Sequence, residues 1–434
     1  MKSVVGSAFS SASFGFKAIG DIWMKSFSSL VGVPLSDKLR GLRRITTTGN
    51  YIPEIDGLRF VAILSVVLFH VPGQIPLHGP NVNWFWYLVS NGKRGVELFF
   101  TISGFILAFP FASHVLRASK AVSVRSYFLR RVTRLEPPYI LAIFIRLPLL
   151  LLVMHKPLRF VLIHGFASLF YLHSLIFGTM SAVNPPAWSL EVEIQFYCLA
   201  PFFAWSYFEL RPKWLRRGVG VGFLVLAGVL QRIFIPEVVD SRLSLSILNY
   251  VQYFFAGFLL CDLYLTDWET IPAHWTWDIL STILWCWIFL AYGWSVHLFL
   301  PFAVLLAYLG AFKGKLYRAF FRTPWVSLIG GMCYNIYLTH NLAITGVADV
   351  LHPWVSSAKG SSTSKAVLAY AVCLPAVFAI GLLLYVVVER PCMDKGWPSK
   401  LIRWLRHRGT SPAEVTDPPQ FGQQPLQERL ELLS

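Results

Sequence analysis

Acidic residues are scarce in this chain. Its 434 residues include 22 Asp and Glu against 38 Lys and Arg, a formal charge of +16, and the four charged types together reach only 14%. Soluble domains carry about a quarter charged residues, so a free globular enzyme is excluded. Cysteine is also sparse: Cys198, Cys261, Cys286, Cys333, Cys373 and Cys392 are scattered, with no CxxC pair. That spacing excludes a disulfide framework and a thiolate metal site, and leaves the six as small hydrophobic residues. No HExxH or HxH spacing is present to hold a metal, and no GxSxG nucleophile elbow. Zinc-finger spacings, aromatic-interleaved basic stripes and a recognition helix are missing too, so the positive charge does not point to nucleic acid. The first 50 residues lack the continuous apolar run and cleavage site of a secretory signal.

Apolar length is what the chain has in abundance. It is 55% hydrophobic, with a mean hydropathy of +0.56. A membrane span needs about 20 mostly apolar residues. Eleven candidate stretches occur, at roughly 58–75, 95–114, 137–154, 158–178, 190–208, 218–236, 246–265, 277–292, 295–312, 326–349 and 366–388. The expected fold is an all-α polytopic membrane helix bundle.

Loop charge sets the number of crossings. Basic clusters follow the second stretch (Arg117, Lys120, Arg125, Arg130, Arg131, Arg134), the fifth (Arg211, Lys213, Arg216, Arg217), the ninth (Lys313, Lys315, Arg318, Arg322) and the last (from Arg390 to Arg408). Cytoplasmic loops are enriched in Lys and Arg. If all eleven stretches cross, the cluster at 211–217 and those after it fall outside; if 158–178 does not cross, every cluster falls inside. We therefore expect about ten spans, both termini cytoplasmic, and 158–178 interfacial or re-entrant. That stretch carries His164, Gly165 and His173, and a loop with Asn184, Pro185 and Pro186 follows it; irregular chain at membrane depth is tolerated where it lines a cavity. Three regions result. Residues 1–50 form a basic, Ser-rich cytoplasmic segment with an amphipathic stretch, a composition shared with organelle transit peptides. Residues 51–395 form one integral membrane domain, and 396–434 a Pro-, Gln- and Glu-rich disordered tail.

Several polar constellations stand out against this background. Arg59 and His70 are eleven residues apart, about three turns, so they share a helix face and lie about 16 Å apart along it. An ionisable group at membrane depth is by default a functional candidate, although a snorkelling Arg and a satisfied interior His give the same pattern. Asp56 flanks the entrance. Arg131 and Arg134 lie in a basic run before Pro137 and Pro138; arginine forks match phosphate geometry, and ordinary cytoplasmic charge is the other reading. Glu191 and Glu193 sit at the start of an apolar stretch, about 200° apart on a helix, so only one readily faces a shared cavity, with Gln195 or Tyr197 on other faces. Helix N-terminal placement is the bland account of both acids. Glu97, Ser103 and Gly104 open the second stretch, where Gly104 permits close helix approach and Ser103 can hydrogen-bond to a neighbouring helix. Tyr337, His340 and Glu389 close the set.

In order and spacing these segments resemble the acyltransferase-3 family of integral membrane O-acyltransferases, which O-acetylate surface polysaccharides, lipids and some macrolides. Asp56-Gly57-Leu58-Arg59 with His70 looks like the family's first-span signature, and Gly95 to Phe105 like its second-span motif, with Glu97 where Asp is usual. Arg131-Val132-Thr133-Arg134 matches its R-x-x-R motif, and Trp188 to Tyr197 its W-S-L-x-V-E-x-Q-F-Y motif. Tyr337-Leu338-Thr339-His340 and Glu389-Arg390-Pro391 resemble its C-terminal signatures. The resemblance covers about residues 50–395 and looks like the stand-alone form of the family.

It implies an acyl-CoA donor from the cytoplasm as co-substrate, with no tightly bound cofactor, and a hydroxyl-bearing acceptor on a carbohydrate, lipid or secondary metabolite. It implies His70 as catalytic base, with Arg59 and Glu193 as catalytic partners. Asp56, Arg131, Arg134, Glu97, Ser103, Trp188, Tyr197, Tyr337, His340 and Glu389 would then bind substrate. Glu191 departs from the family pattern. Ser103, Tyr337 and His340 are the candidate donors to a developing oxyanion. The alternative is a transporter or flippase in which Arg59, His70, Glu193 and Glu389 form an intramembrane path; the paired, Gly/Pro-broken halves of inverted repeats are missing.

Overall fold

The computed structural model describes residues 42–44, 51–75, 89–236, 238, 240–293, 295–357, 362–394, 396, 397 and 399. The expected N-terminal segment and tail lie outside the described residues, apart from the few positions named. Residues 1–393 make one unit and 394–434 a second; every helix below begins in the first. In order they are α1 (Pro53–Gln74), α2 (Gly95–Arg117), α3 (Val124–Pro148), α4 (Leu158–Leu169), α5 (His173–Phe177), α6 (Trp188–Phe208), α7 (Lys213–Phe234), α8 (Val251–Thr266), α9 (Thr276–Leu290), α10 (Ser295–Lys313), α11 (Lys315–Phe321), α12 (Pro324–Gly331), α13 (Cys333–Ser357) and α14 (Ser362–Leu384). No strand occurs among the described residues. The protein is an all-α membrane bundle.

Among the described residues six helices are long and apolar enough to cross a bilayer: Pro53–Gln74, Asn91–Arg117, Val124–Val153, Lys213–Phe234, Val296–Lys313 and Ser364–Cys392. The other expected spans also fold as helices. α6 and α13 carry polar residues used below, and α8 and α9 are shorter, at 16 and 15 residues. Residues 158–178 break into α4 and α5, of 12 and 5 residues. At 1.5 Å per residue α4 reaches about 18 Å, well short of a hydrocarbon core of about 30 Å. Its Leu158, Leu162 and Phe166 are exposed at four-residue intervals and form an apolar stripe along one face. His164 Nδ1 and His173 Nε2, 2.8 Å apart, tie α4 to α5.

Two features differ from the sequence reading. The third apolar stretch does not start at Pro137: α3 begins at Val124, behind Ser123, whose hydroxyl accepts from the Ser126 amide, and runs through both prolines. The basic run is therefore helical rather than a loop. Neighbouring chain can satisfy backbone groups that Pro frees in a buried helix. The tenth stretch is two helices, α12 and α13, parted at Met332.

Local chemistry accounts for the other boundaries. Pro53 occupies the first turn of α1 and Pro324 that of α12, where the missing N–H costs nothing. The Asp278 carboxylate accepts from the amides of Lys315, Leu316 and Tyr317 at 2.8–3.0 Å, satisfying three N–H groups that the first turn of α11 leaves unbonded. The carbonyls of Ile288 and Ala291, at the end of α9, are taken by Arg94. α2 and α8 are in backbone contact: a Cβ on Gly104 would strike the Phe254 carbonyl, and one on Gly257 the Thr101 carbonyl. Small residues at such crossings let helices pack without a hydrophobic drive from water.

Four basic residues converge on the turn that ends α8. Arg117 donates to Leu265 O, Lys213 and Arg217 pair with Asp267, and Lys313 Nζ lies 3.9 Å from the Trp268 ring centre. The ends of α2 and α10 and the start of α7 are thus gathered at one end of the bundle, called here the basic end. Between Arg117 and Lys213 the chain leaves by α3 and returns by α6, which leaves α4 and α5 at the far end. There Arg242 donates to Leu175 O and Ile176 O.

Candidate active site

α1 is the wall on which the site is built. Near its start Arg59 donates to Asp56 at 2.7 Å, and Arg44 stands 3.7 Å from the same carboxylate oxygen. Asp56 is almost wholly buried. Gly330 fits directly against the Asp56 carbonyl, so α12 seals this end of α1. Three turns further on, the Nδ1–H of His70 donates to Val66 O at 2.8 Å. That bond fixes the tautomer and leaves the Nε2 lone pair as the ring's free base.

Two further charged groups of α3 enter at the basic end. The Arg131 guanidinium lies 3.6 Å over the Tyr127 ring and 5.3 Å from the centre of Tyr197. Arg134 Nη2 donates to Glu389 at 3.2 Å. Glu389, in a turn of wider winding after α14, is fully buried, and its second oxygen accepts from Asn335 Nδ2 at 2.5 Å. Glu193 on α6 accepts from the Ser103 hydroxyl at 2.5 Å and the Tyr197 hydroxyl at 2.7 Å. Tyr197 thus links Glu193 to Arg131, and Glu193 and Glu389 both act electrostatically on Arg59. The outcome is a buried polar cluster drawn from α1, α2, α3, α6, α13 and the turn after α14.

The His70 end is assembled on α13. The His340 ring is 4.8 Å from that of His70, at 69°. Its Nδ1–H donates to Tyr337 O at 2.7 Å, while its Nε2 is buried without a partner. The Tyr337 hydroxyl donates to Pro186 O at 2.7 Å and accepts from Ser189 at 2.6 Å. Asn184 donates to Leu338 O at 3.3 Å and Arg146 to Val183 O at 3.2 Å. The loop before α6 is therefore fastened to both α13 and α3.

The sequence candidates sort accordingly. Asp56, Arg59, Arg131, Arg134, Glu193, Tyr197, Ser103 and Glu389 belong to the buried polar cluster, which runs inward from the basic end; His70, His340 and Tyr337 gather beyond it. Trp188 packs against Tyr250, 5.4 Å between ring centres. Glu97 lies in the first turn of α2, near Arg94 and with one carboxylate oxygen unpartnered. The two acids of α6 do face apart: Glu191 accepts from the Ser174 amide at 2.8 Å and anchors α5. Tyr197 is not on another face from Glu193, because a four-residue spacing puts both on one side. Ser103 and Tyr337 have their hydroxyl protons committed, and His340 spends its N–H on a carbonyl, so none of the three is a free donor. Sequence reasoning missed Asn335, Asn184, Ser189 and Arg146. Arg146 carried a signal, since it lies within the third apolar stretch and meets the same test as Arg59. Among the described residues no group of three or more His, Cys, Asp or Glu converges as metal ligands.

Comparison with known proteins agrees with this architecture. Residues 52–386 match the acyltransferase domain of the acyltransferase-3 family. The putative peptidoglycan O-acetyltransferase YrhL of Bacillus subtilis is 32% identical over 167 residues, covering 36% of this chain and 24% of that protein. The O-acetyltransferase OatA of Staphylococcus aureus is 27% identical over 161 residues, 35% of this chain and 24% of that protein. The peptidoglycan O-acetyltransferase OatA of Listeria monocytogenes is 25% identical over 206 residues, 44% and 31% respectively. The matches thus span only about a quarter to a third of these relatives' length. No solved structure matches. With the match covering most of the membrane bundle and both ends of the site, the chain belongs to the acyltransferase-3 family.

Proposed function

We propose that the protein transfers an acyl group, acetyl in the first instance, from acyl-CoA to a hydroxyl-bearing acceptor within the membrane. The observation that carries this reading is the His70 ring, held through Nδ1 by its own helix with Nε2 free. A general base needs that arrangement. The acceptor O–H gives its proton to Nε2 as its oxygen attacks the thioester carbonyl; the new ester C–O bond forms, the C–S bond breaks, and the proton passes from the imidazolium to the leaving thiolate. Arg131 and Arg134 join the same polar cluster as Arg59, which lies about 16 Å along α1 from His70. They would take the donor's phosphates, and a pantetheine arm would cover the distance. Arg59 and Glu193 set the charge balance of that mouth. Enrichment of Lys and Arg on the cytoplasmic side makes the basic end cytoplasmic, with both termini on that side.

The relatives' names support O-acetyl transfer and leave donor and acceptor to experiment. Purified full-length protein in lipid nanodiscs, given radiolabelled acetyl-CoA and candidate acceptors, is expected to release free CoA only when an acceptor is present and to label that acceptor. Movement of a solute across the bilayer with no labelled product would favour a transporter and remove the acyl-transfer reading.

A further inference from the structure

A short stretch of chain that precedes the family's domain reaches the buried polar cluster. The matched region starts at residue 52, yet the Tyr385 hydroxyl donates to Leu42 O at 3.0 Å. Tyr385 begins the wide turn that ends in Glu389, the partner of Arg134, so residues 42–44 are fastened to that turn. Arg44 stands 3.7 Å from the Asp56 oxygen that Arg59 already holds at 2.7 Å. At 3.7 Å there is no hydrogen bond, and the Nε atoms of both Arg43 and Arg44 are buried without a partner. Arg43 lies over the Tyr51 ring, 5.5 Å from its centre, and both it and Arg134 act electrostatically on Asp56. These contacts set five arginines (Arg43, Arg44, Arg59, Arg131 and Arg134) against three carboxylates, Asp56, Glu193 and Glu389. Glu54, the other acid at the start of α1, is taken by Arg318 and Arg322. Depth separates the two signs as well. The side chains of Asp56 and Glu389 are 5% and 0% exposed, and those of Arg44, Arg59 and Arg134 are 13%, 12% and 24% exposed. What solvent reaches here is guanidinium, not carboxylate. Charges withdrawn from water need partners, and the cluster's own acids are too few.

We infer that Arg43 and Arg44 form a second phosphate site beside Arg131 and Arg134, and that it takes the ribose 3′-phosphate of the acyl-CoA donor. This rests on the donor named in the proposed function and adds to it residues from outside the family's domain. Position argues for that phosphate. Asp56 precedes His70 by fourteen residues, about 21 Å along α1, so Arg44 stands farther from the base than Arg59 does. In coenzyme A the 3′-phosphate lies farther from the thiol than the pyrophosphate. The outermost arginines thus meet the outermost phosphate, and Arg131 and Arg134 are left for the pyrophosphate. Charge argues the same way. A phosphate monoester carries about −1.5 to −2 at pH 7 and three strong acceptor oxygens, which suits two guanidinium forks whose Nε donors are unspent. The headgroup of a phosphomonoester lipid offers the same chemistry, so the two sources are separated by experiment.

The test measures binding by calorimetry on full-length protein in phosphatidylcholine nanodiscs, with acetyl-CoA and its 3′-dephospho analogue. Wild-type protein is expected to bind acetyl-CoA about tenfold or more tighter than the analogue. Arg43→Gln and Arg44→Gln should each weaken acetyl-CoA binding and leave the analogue's dissociation constant where it was, which also serves as the folding control. Arg44→Lys should recover part of the loss, keeping the charge without the fork. Arg131→Ala, by contrast, should weaken both ligands alike. A preference for acetyl-CoA over the analogue that survives in both glutamine variants, or a wild type indifferent to the 3′-phosphate, overturns the second site and leaves the donor reading standing. Phosphatidic acid added to the nanodiscs should not compete with acetyl-CoA. Competition that disappears in Arg44→Gln gives the two arginines to a lipid headgroup and overturns their assignment to the donor. Failure of cooperatively melting wild-type protein to bind acetyl-CoA overturns the donor reading itself, and the second site with it.

Discussion

At the scale of single residues, the site separates groups that the sequence could only place side by side. His70 is expected to be indispensable: His70→Gln should lower labelled-acetyl transfer by about 10²–10⁴-fold, the usual worth of a general base, with acetyl-CoA binding retained. Turnover at the wild-type level in a folded His70→Gln preparation would falsify the base assignment. Arg131 and Arg134 share a motif but not a role. Arg131 rests on Tyr127 and Tyr197, so Arg131→Lys loses the stacked plane while keeping the charge, and calorimetry should show weaker acetyl-CoA binding at unchanged thermal stability. Arg134 pairs with a fully buried carboxylate. Arg134→Ala strands Glu389 and should cost about 3–5 kcal/mol, read as a lowered Tm. Adding Glu389→Gln should restore much of that stability without restoring binding. A double variant no more stable than Arg134→Ala would show that the ion pair is not what holds α3 to the end of α14. Arg59 and His70 were legible because polar residues stand out in an apolar run. Arg146 stands out in the same way, whereas Asn184 and Asn335 do not, because their partners, Leu338 O and Glu389, meet them only on folding.

At the scale of elements, run length placed the helices well, and the errors have physical causes. Proline at 137 and 138 reads as a helix start in an isolated chain, where its missing N–H and ring clash end helices; inside a packed bundle α3 continues through it. Residues 326–349 read as one stretch because nothing in an apolar run marks the break at Met332. The demotion of 158–178 rests on loop charge and on the meeting of Arg117 and Lys213 at the same turn. The contact of α2 with α8 depends on two hydrogens. Gly257→Val would drive a side chain into the Thr101 carbonyl, and overpacking of this kind typically costs about 1–3 kcal/mol. Since α2 also carries Ser103, the same variant should displace the Ser103–Glu193 hydrogen bond and lower turnover beyond the loss of folded protein. Retained specific activity in the folded fraction would uncouple that helix contact from the site.

At the scale of the whole molecule, the gathering of Arg117, Lys213 and Lys313 at one turn makes sidedness testable without reference to chemistry. Reporters fused after residues 120, 214 and 316 are expected to give the same, cytoplasmic signal, and fusions after 240 and 292 the opposite one. Opposite signals at 120 and 214 would mean that α4 and α5 cross after all. The two ends of the site are joined by rigid helices: α1 spaces Arg59 from His70 by eleven residues, and α3 spaces Arg134 from Arg146 by twelve. At 1.5 Å per residue these are rulers of about 16 and 18 Å. Selection of the donor then becomes a matter of reach. A thioester on a short thiol such as N-acetylcysteamine can occupy the reacting end but cannot touch the arginines while it does so. It should acylate slowly and be indifferent to Arg131→Ala, whereas a donor spanning both marks is held at two points at once. The bundle would thus refuse short activated esters by counting helical turns, with no wall or gate needed to keep them out.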